Sequence, residues 1–174
     1  MKSASVIRKK KSLLKKKSST APRLKKEKKF PVVAIGASAG GLEAMSILLK
    51  NLPADTGMAY IYVQHLSPDH KSFLPSILSK ITKMKVQEID DMELMKPNNV
   101  YVIPHNKEIM VLDGHIQLLP RLKNISVNPS IDILFSSLAE THKKNVIGVV
   151  LSGYASDGTH GLKAIKEADR KSVV

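Results

Sequence analysis

Three side-chain types that together carry out acyl transfer occur in this chain, the serine and the aspartate in glycine-flanked turns. Ser38 lies in Gly36-Ala37-Ser38-Ala39-Gly40-Gly41, His65 in Gln64-His65, and Asp157 in Ser156-Asp157-Gly158. A serine hydroxyl becomes a nucleophile when an imidazole takes its proton, and the imidazole later gives that proton to the leaving group. A carboxylate behind the ring fixes its tautomer and stabilises the imidazolium. The chain order here is Ser, His, Asp, whereas the α/β-hydrolase order is Ser, Asp, His, which argues against that fold. A Gly-x-Ser-x-Gly turn alone is a weak signal, because a strand-turn-helix of this kind can also cradle a phosphate. Two details count against the phosphate reading. The spacing is not Gly-x-Gly-x-x-Gly, and the second strand ends in Gln64-His65 where a ribose-binding acid would stand.

For the three groups to meet, the elements before them must end on one edge. Val32–Gly36 reads as a first strand and runs into a turn in which Gly36 and Gly40 are expected to take backbone angles closed to other residues. A helix over Gly41–Lys50 follows at once, its first amides aimed at the space beside the serine. Ala59–Gln64 is apolar on both sides, as a buried parallel strand should be, and delivers His65. Phe73, Ile77, Leu78 and Ile81 predict a helix to about Thr82, and Val86–Ile89 a short strand before the polar connection Asp90–Asn99. Val100–Ile103 is a further strand. Ile109–Leu112 and His115–Leu119 flank Asp113-Gly114, a two-residue hairpin signal. Pro129–His142 reads as a helix with Ile131, Leu134, Phe135 and Leu138 inward. Val146–Leu151 is a last apolar strand, followed by a helix carrying Leu162 and Ile165. The expected fold is α/β: a doubly wound, mostly parallel sheet with an inserted antiparallel hairpin. Sites in such sheets lie beyond the strands' carboxyl ends, where Ser38, His65 and Asp157 all fall.

Each residue also has a plainer reading. His65 could be a strand-end histidine bonded to a carbonyl, and Asp157 could cap the helix that begins near Thr159. His105, after Ile103-Pro104, is the reserve candidate for the base. His70, His115, His142 and His160 read as surface or helix residues, and Met58, Met84, Met92 and Met95 as packing residues. The spacing of His65, Asp69 and His70 does not supply a metal geometry, so no metal and no cofactor is expected.

Composition bounds the rest. The 174 residues suit one domain, and 43% hydrophobic residues with 4% aromatics imply an aliphatic core. With no cysteine, thiolate catalysis, disulfides and cysteine-zinc sites are excluded, which is compatible with a cytoplasmic location. The net charge of +13 is concentrated. Residues 1–29 hold 13 of the 28 Lys and Arg residues and one of the 15 acids, leaving 15 basic and 14 acidic residues in the remainder. Residues 1–29 therefore read as a basic, disordered tail, with nucleic acid or acidic lipid the lesser alternatives, and residues 30–174 as the domain.

Taken together, Ala34–Gly41, Val63-Gln64-His65, Val100–Pro104, and Leu151-Ser152-Gly153 through Asp157-Gly158 make the chain resemble the catalytic domain of the chemotaxis protein-glutamate methylesterase family. The stretch Gln64–Ser72 resembles the version found in methylesterase–methyltransferase fusion proteins, which implies a methyltransferase domain in the full-length protein. The resemblance spans Phe30 to Ala168. It implies hydrolysis of glutamate methyl esters, and deamidation of glutamines, on methyl-accepting chemoreceptors. It casts Ser38 as nucleophile, His65 as general base and Asp157 as the acid that orients it. It also implies an oxyanion hole built from the amides of Ala39 and Tyr154, the latter standing where the family has methionine. The regulatory receiver domain that precedes the enzyme in the family is not in this sequence. Asp169–Val174 match the translation of a common sequencing adapter, so the native reading is expected to end at Ala168, leaving the domain incomplete at its C-terminus. The alternative functions are a catalytically weak receptor-binding module and, less favoured, an anion binder driven by the lysine tail.

Overall fold

A computed structural model describes residues 30–65, 72–121, 129–152 and 156–169. The basic tail, the Leu66–Asp69 loop, Tyr154 and the segment 170–174 lie outside these described residues. The fold is organised on β1 (Val32–Ala37), whose six residues are all buried. It pairs in parallel with β2 (Ala59–Gln64) on one side and with β8 (Val146–Ser152) on the other. Outside β2 lie β5 (Asn99–Val102) and then β3 (Lys85–Glu88), also parallel, giving the order β3-β5-β2-β1-β8. The near-continuous apolar runs have this cause: a parallel strand covered on both faces has no solvent side on which to place polar residues.

Alternate residues of the strands serve two cores. Val33, Ile35, Tyr60 and Tyr62 pack with Met45 and Leu49 of α1 (Gly41–Asn51) and with Leu74 and Leu78 of α2 (Leu74–Leu78). On the opposite face Ala34, Ile61 and Tyr101 meet Ile131, Leu134, Phe135 and Leu138 of α3 (Ser130–His142) and Ile165 of α4 (Thr159–Asp169). A second, antiparallel sheet closes this face, with β4 (Glu93–Leu94), β7 (His115–Pro120) and β6 (Lys107–Leu112) in the order β4-β7-β6. Its hairpin turns at Asp113 (φ 48°) and Gly114 (φ 78°), both left-handed, as a type I′ turn requires.

The sequence-based expectations differ from this fold in three places. The connection Asp90–Asn99 contains β4, a two-residue strand too short to show periodicity. The second helix is only Leu74–Leu78, with Pro75 in its first turn. Its buried pair is Leu74 and Leu78, while Phe73 is 74% exposed and Ile77 also faces out. Five residues cannot set a helical phase, so packing chose the face. Met92 is not a packing residue: it is exposed, at φ 59°, in the turn before β4, whereas Met84 and Met95 are buried.

Candidate active site

The site begins where β1 ends. The β1–β8 register slips between Gly36 and Ala37, which pair with Val150 and Ser152, so Leu151 is an extra residue in β8. Such a bulge bends a strand and re-aims the residues beside it. The Ser38 amide then donates to the Ser152 carbonyl at 3.0 Å, and the Ser38 carbonyl accepts the Gly41 amide at 3.0 Å, closing a tight turn into α1. Gly40 sits in this turn at φ 78°, which few side chains tolerate. Gly36 does a different job from the one its position in the motif suggested. It is a strand residue at which a Cβ would lie 2.5 Å from Ile131 Cγ2, so its missing side chain lets α3 approach β1. Gln64 braces the turn from the next strand: its Nε2 donates to the Ser38 carbonyl at 3.3 Å while its Oε1 accepts the Tyr62 hydroxyl at 2.7 Å. Burial pushes the Tyr62 phenol well above its ordinary range, so it stays a donor. The motifs gave no sign of these roles for Gln64 and Tyr62.

His65 follows directly. Ala37 pairs with Gln64, and the His65 amide donates to the Ala37 carbonyl at 3.1 Å, so Ser38 and His65 leave adjacent strand ends together. The imidazole Nε2 lies 2.8 Å from Oδ2 of Asp157. The histidine side chain is 24% exposed and the aspartate side chain 2%. The carboxylate also accepts the backbone amides of Ile131, at 3.0 Å, and Asp132, at 2.9 Å. Burial opposes ionisation of Asp157, but the hydrogen bonds from His65 and these two amides, with the attraction of the ring, outweigh it. Its carboxyl is therefore held below the ordinary carboxylate value. An ionised carboxylate only accepts, so Nε2 carries the proton in this bond, and in the neutral ring the lone pair is then on Nδ1. Among the described residues Asp157 is the imidazole's only hydrogen-bond partner.

Asp157 does cap a helix, but not the one that follows it. The amides it accepts belong to the first turn of α3. His105 lines the same cleft as His65, together with Pro104, Asn106 and Ser130, yet the carboxylate is bonded to His65, and the Nδ1 atom of His105 is buried with no partner. The reserve candidate is thereby set aside on geometry. Ala39 is exposed in the turn ahead of α1; Tyr154 lies outside the described residues. Among the described residues no three His, Asp or Glu side chains could hold a metal ion, and no helix is long and apolar enough to cross a membrane.

Comparison with known proteins shows the family. The family model for CheB methylesterase matches residues 33–174. A Leptospira interrogans protein, provisionally named protein-glutamate methylesterase/protein-glutamine glutaminase, is 34% identical over 146 residues, covering 83% of this chain and 76% of its own. The protein-glutamate methylesterase/protein-glutamine glutaminase of Trichodesmium erythraeum is 36% identical over 143 residues, but the match covers only 41% of that longer protein. The crystal structure of the Thermotoga maritima CheB methylesterase catalytic domain superimposes with a TM-score of 0.73 at 29% identity, over 82% of this chain and 77% of that one. A match that runs from Val33 to Val174, with a relative and a solved catalytic domain each aligned over most of their length, means that this chain belongs to the CheB methylesterase family.

Proposed function

We propose that this chain is a serine hydrolase that demethylates γ-glutamyl methyl esters, and deamidates glutamines, on a methyl-accepting chemoreceptor in the cytoplasm. The observation that carries the reading is the bond between His65 and the buried Asp157, at the strand ends where Ser38 leaves β1. The Ser38 hydroxyl attacks the ester carbonyl while Nδ1 of His65 takes its proton, and Asp157 holds the imidazolium through Nε2. The oxyanion forms beside the turn, where the Ala39 amide, and by family resemblance the Tyr154 amide, stabilise it. The same ring returns the proton to the departing methoxide, releasing methanol. Water then repeats the sequence on the acyl-serine, leaving glutamate. With a glutamine substrate the leaving group is ammonia.

In this reading the catalytic unit begins near Phe30 and the basic tail is not part of it. The test is methanol release from a methylated receptor. Ser38→Ala should lower kcat by at least ~1,000-fold. Release unchanged by that substitution would eliminate the assignment, and receptor binding without hydrolysis by the parent chain would favour a binding module instead.

A further inference from the structure

The two helices next to the acid exchange carboxylates at their N-termini. Asp157, in the turn before α4, accepts the Ile131 and Asp132 amides of α3. Asp132, in the first turn of α3, returns its Oδ1 to the amide of Gly158 at 3.0 Å and to that of Gly161 at 2.7 Å. Four amides from the two helix starts are satisfied this way, and each carboxylate sits at the positive end of the other helix. Pro129, the N-cap of α3, makes no side-chain cap of its own. The approach is close because residue 161 is glycine: a Cβ there would lie 3.2 Å from Asp132 Cα and overlap Phe135.

The exchange bears on the imidazole. Oδ2 of Asp157 receives both His65 Nε2 and the Ile131 amide, so α3 sets the direction in which that oxygen presents itself. The backbone immediately after Asp157 is tied to the same helix, through Gly158 and Asp132. Without the Asp132 carboxylate the Gly158 and Gly161 amides lose their acceptor, and the turn carrying Asp157 loses its backbone tie to α3, leaving only the bonds that the Asp157 side chain itself accepts.

We propose that Asp132 is a positioning residue for the His65–Asp157 pair, locking the turn of the acid onto α3 so that Oδ2 stays on Nε2. The kinetic consequence rests on the methylesterase reading; the geometric one does not. The experiment compares the full chain with Asp132→Asn, which keeps an oxygen able to accept both amides, Asp132→Ala, which keeps none, and Asp132→Ser. Serine retains a first-turn hydroxyl that supports folding but is too short to span to Gly161. Nitrogen-15 NMR of the imidazole reports the Nε2 proton bonded to carboxylate. Its downfield signal should persist in the parent and in Asp132→Asn and be lost in Asp132→Ala and Asp132→Ser. Alongside, kcat for ester hydrolysis should fall by up to ~100-fold in Ala and Ser with KM little changed, and recover in Asn. Adding Asp157→Asn to Asp132→Ser should cost nothing beyond Asp157→Asn alone, because both act through one bond. A folded Asp132→Ser or Asp132→Ala variant that keeps the downfield proton would overturn the proposal, as would additive losses in the double variant. If the parent hydrolyses no ester but the signal still vanishes in Asp132→Ser, the methylesterase reading fails and the positioning role stands.

Discussion

Nε2 of His65 and Oδ2 of Asp157 are 2.8 Å apart although 92 positions separate the residues in the chain. The carboxylate thus holds the ring by Nε2, which leaves Nδ1 as the nitrogen that takes the serine proton in the mechanism proposed above. Replacing Asp157 by Asn puts an uncharged amide against Nε2, removes the preference for the right tautomer and leaves the imidazolium without its counter-charge. Asp157→Asn should lower kcat by on the order of 10⁴-fold. Some stability goes too, about 0.5–2 kcal/mol, since the same group caps α3. Steady-state kinetics and a thermal melt on one sample separate the two effects.

Acid should expose the same interaction. Asp157 has its folded value lowered below the ordinary 3.8, so its stabilising contribution is complete above that value and is lost as pH falls through the folded value. The melting difference between the parent chain and Asp157→Asn should therefore be constant near neutrality and shrink below about pH 4. Melts across pH 3–7 measure this; a difference that stays level throughout would contradict the assignment of the low value to the native carboxylate.

Gly36 tests the close approach of β1 and α3. In Gly36→Ala the new methyl would meet Ile131 Cγ2 at 2.5 Å and Cδ1 at 2.7 Å, so Ile131 or the backbone beside it must shift. The expected cost is about 1–3 kcal/mol by urea denaturation. Ile131→Ala should itself cost about 2–5 kcal/mol, but the double variant should lose clearly less than the sum of the two. Additive losses would mean that the clash is not what makes this position intolerant.

Gln64 tests the brace on the nucleophile turn. Gln64→Leu removes the donor to the Ser38 carbonyl and leaves the Tyr62 hydroxyl without its acceptor. The predicted destabilisation is about 1–3 kcal/mol, mostly from the stranded phenol. Combining it with Tyr62→Phe should recover part of that loss without restoring activity, because the turn remains unbraced. Full recovery of activity in the double variant would show that the brace does not serve the nucleophile.

What could be read in advance followed from element length. The inward set of α3 is Ile131, Leu134, Phe135 and Leu138, and all four are buried, because apolar residues repeated over two turns leave one phase for the helix. The five residues of α2 admit several phases, and there the expected inward set was half right: Leu78 is buried and Ile81 packs against the core, but Phe73 and Ile77 face out and Leu74 is buried instead. Gly36 was legible as a residue that had to be small, but the reason was read as backbone freedom when it is contact with a side chain 95 positions away in sequence. Asp132 passed unremarked, and the bracing role of Gln64 went unread, for the same cause. The Ser38 carbonyl that Gln64 braces and the amides that Asp132 accepts lie 26 or more positions away, beyond any local pattern.

By itself the sequence determined the alternation of apolar strands and small-residue turns, and with it that Ser38, His65 and Asp157 would lie after strands at one edge of one sheet. That much is local: strand length and turn chemistry depend on near neighbours. Only the tertiary structure decided which nitrogen the acid holds, that Asp157 caps α3 and not α4, and that His65 and not His105 is its partner. Those outcomes depend on the register between strands and on how closely two helices approach. Both are set by the packing of residues far apart in the chain, where a shift of an ångström makes or breaks a hydrogen bond.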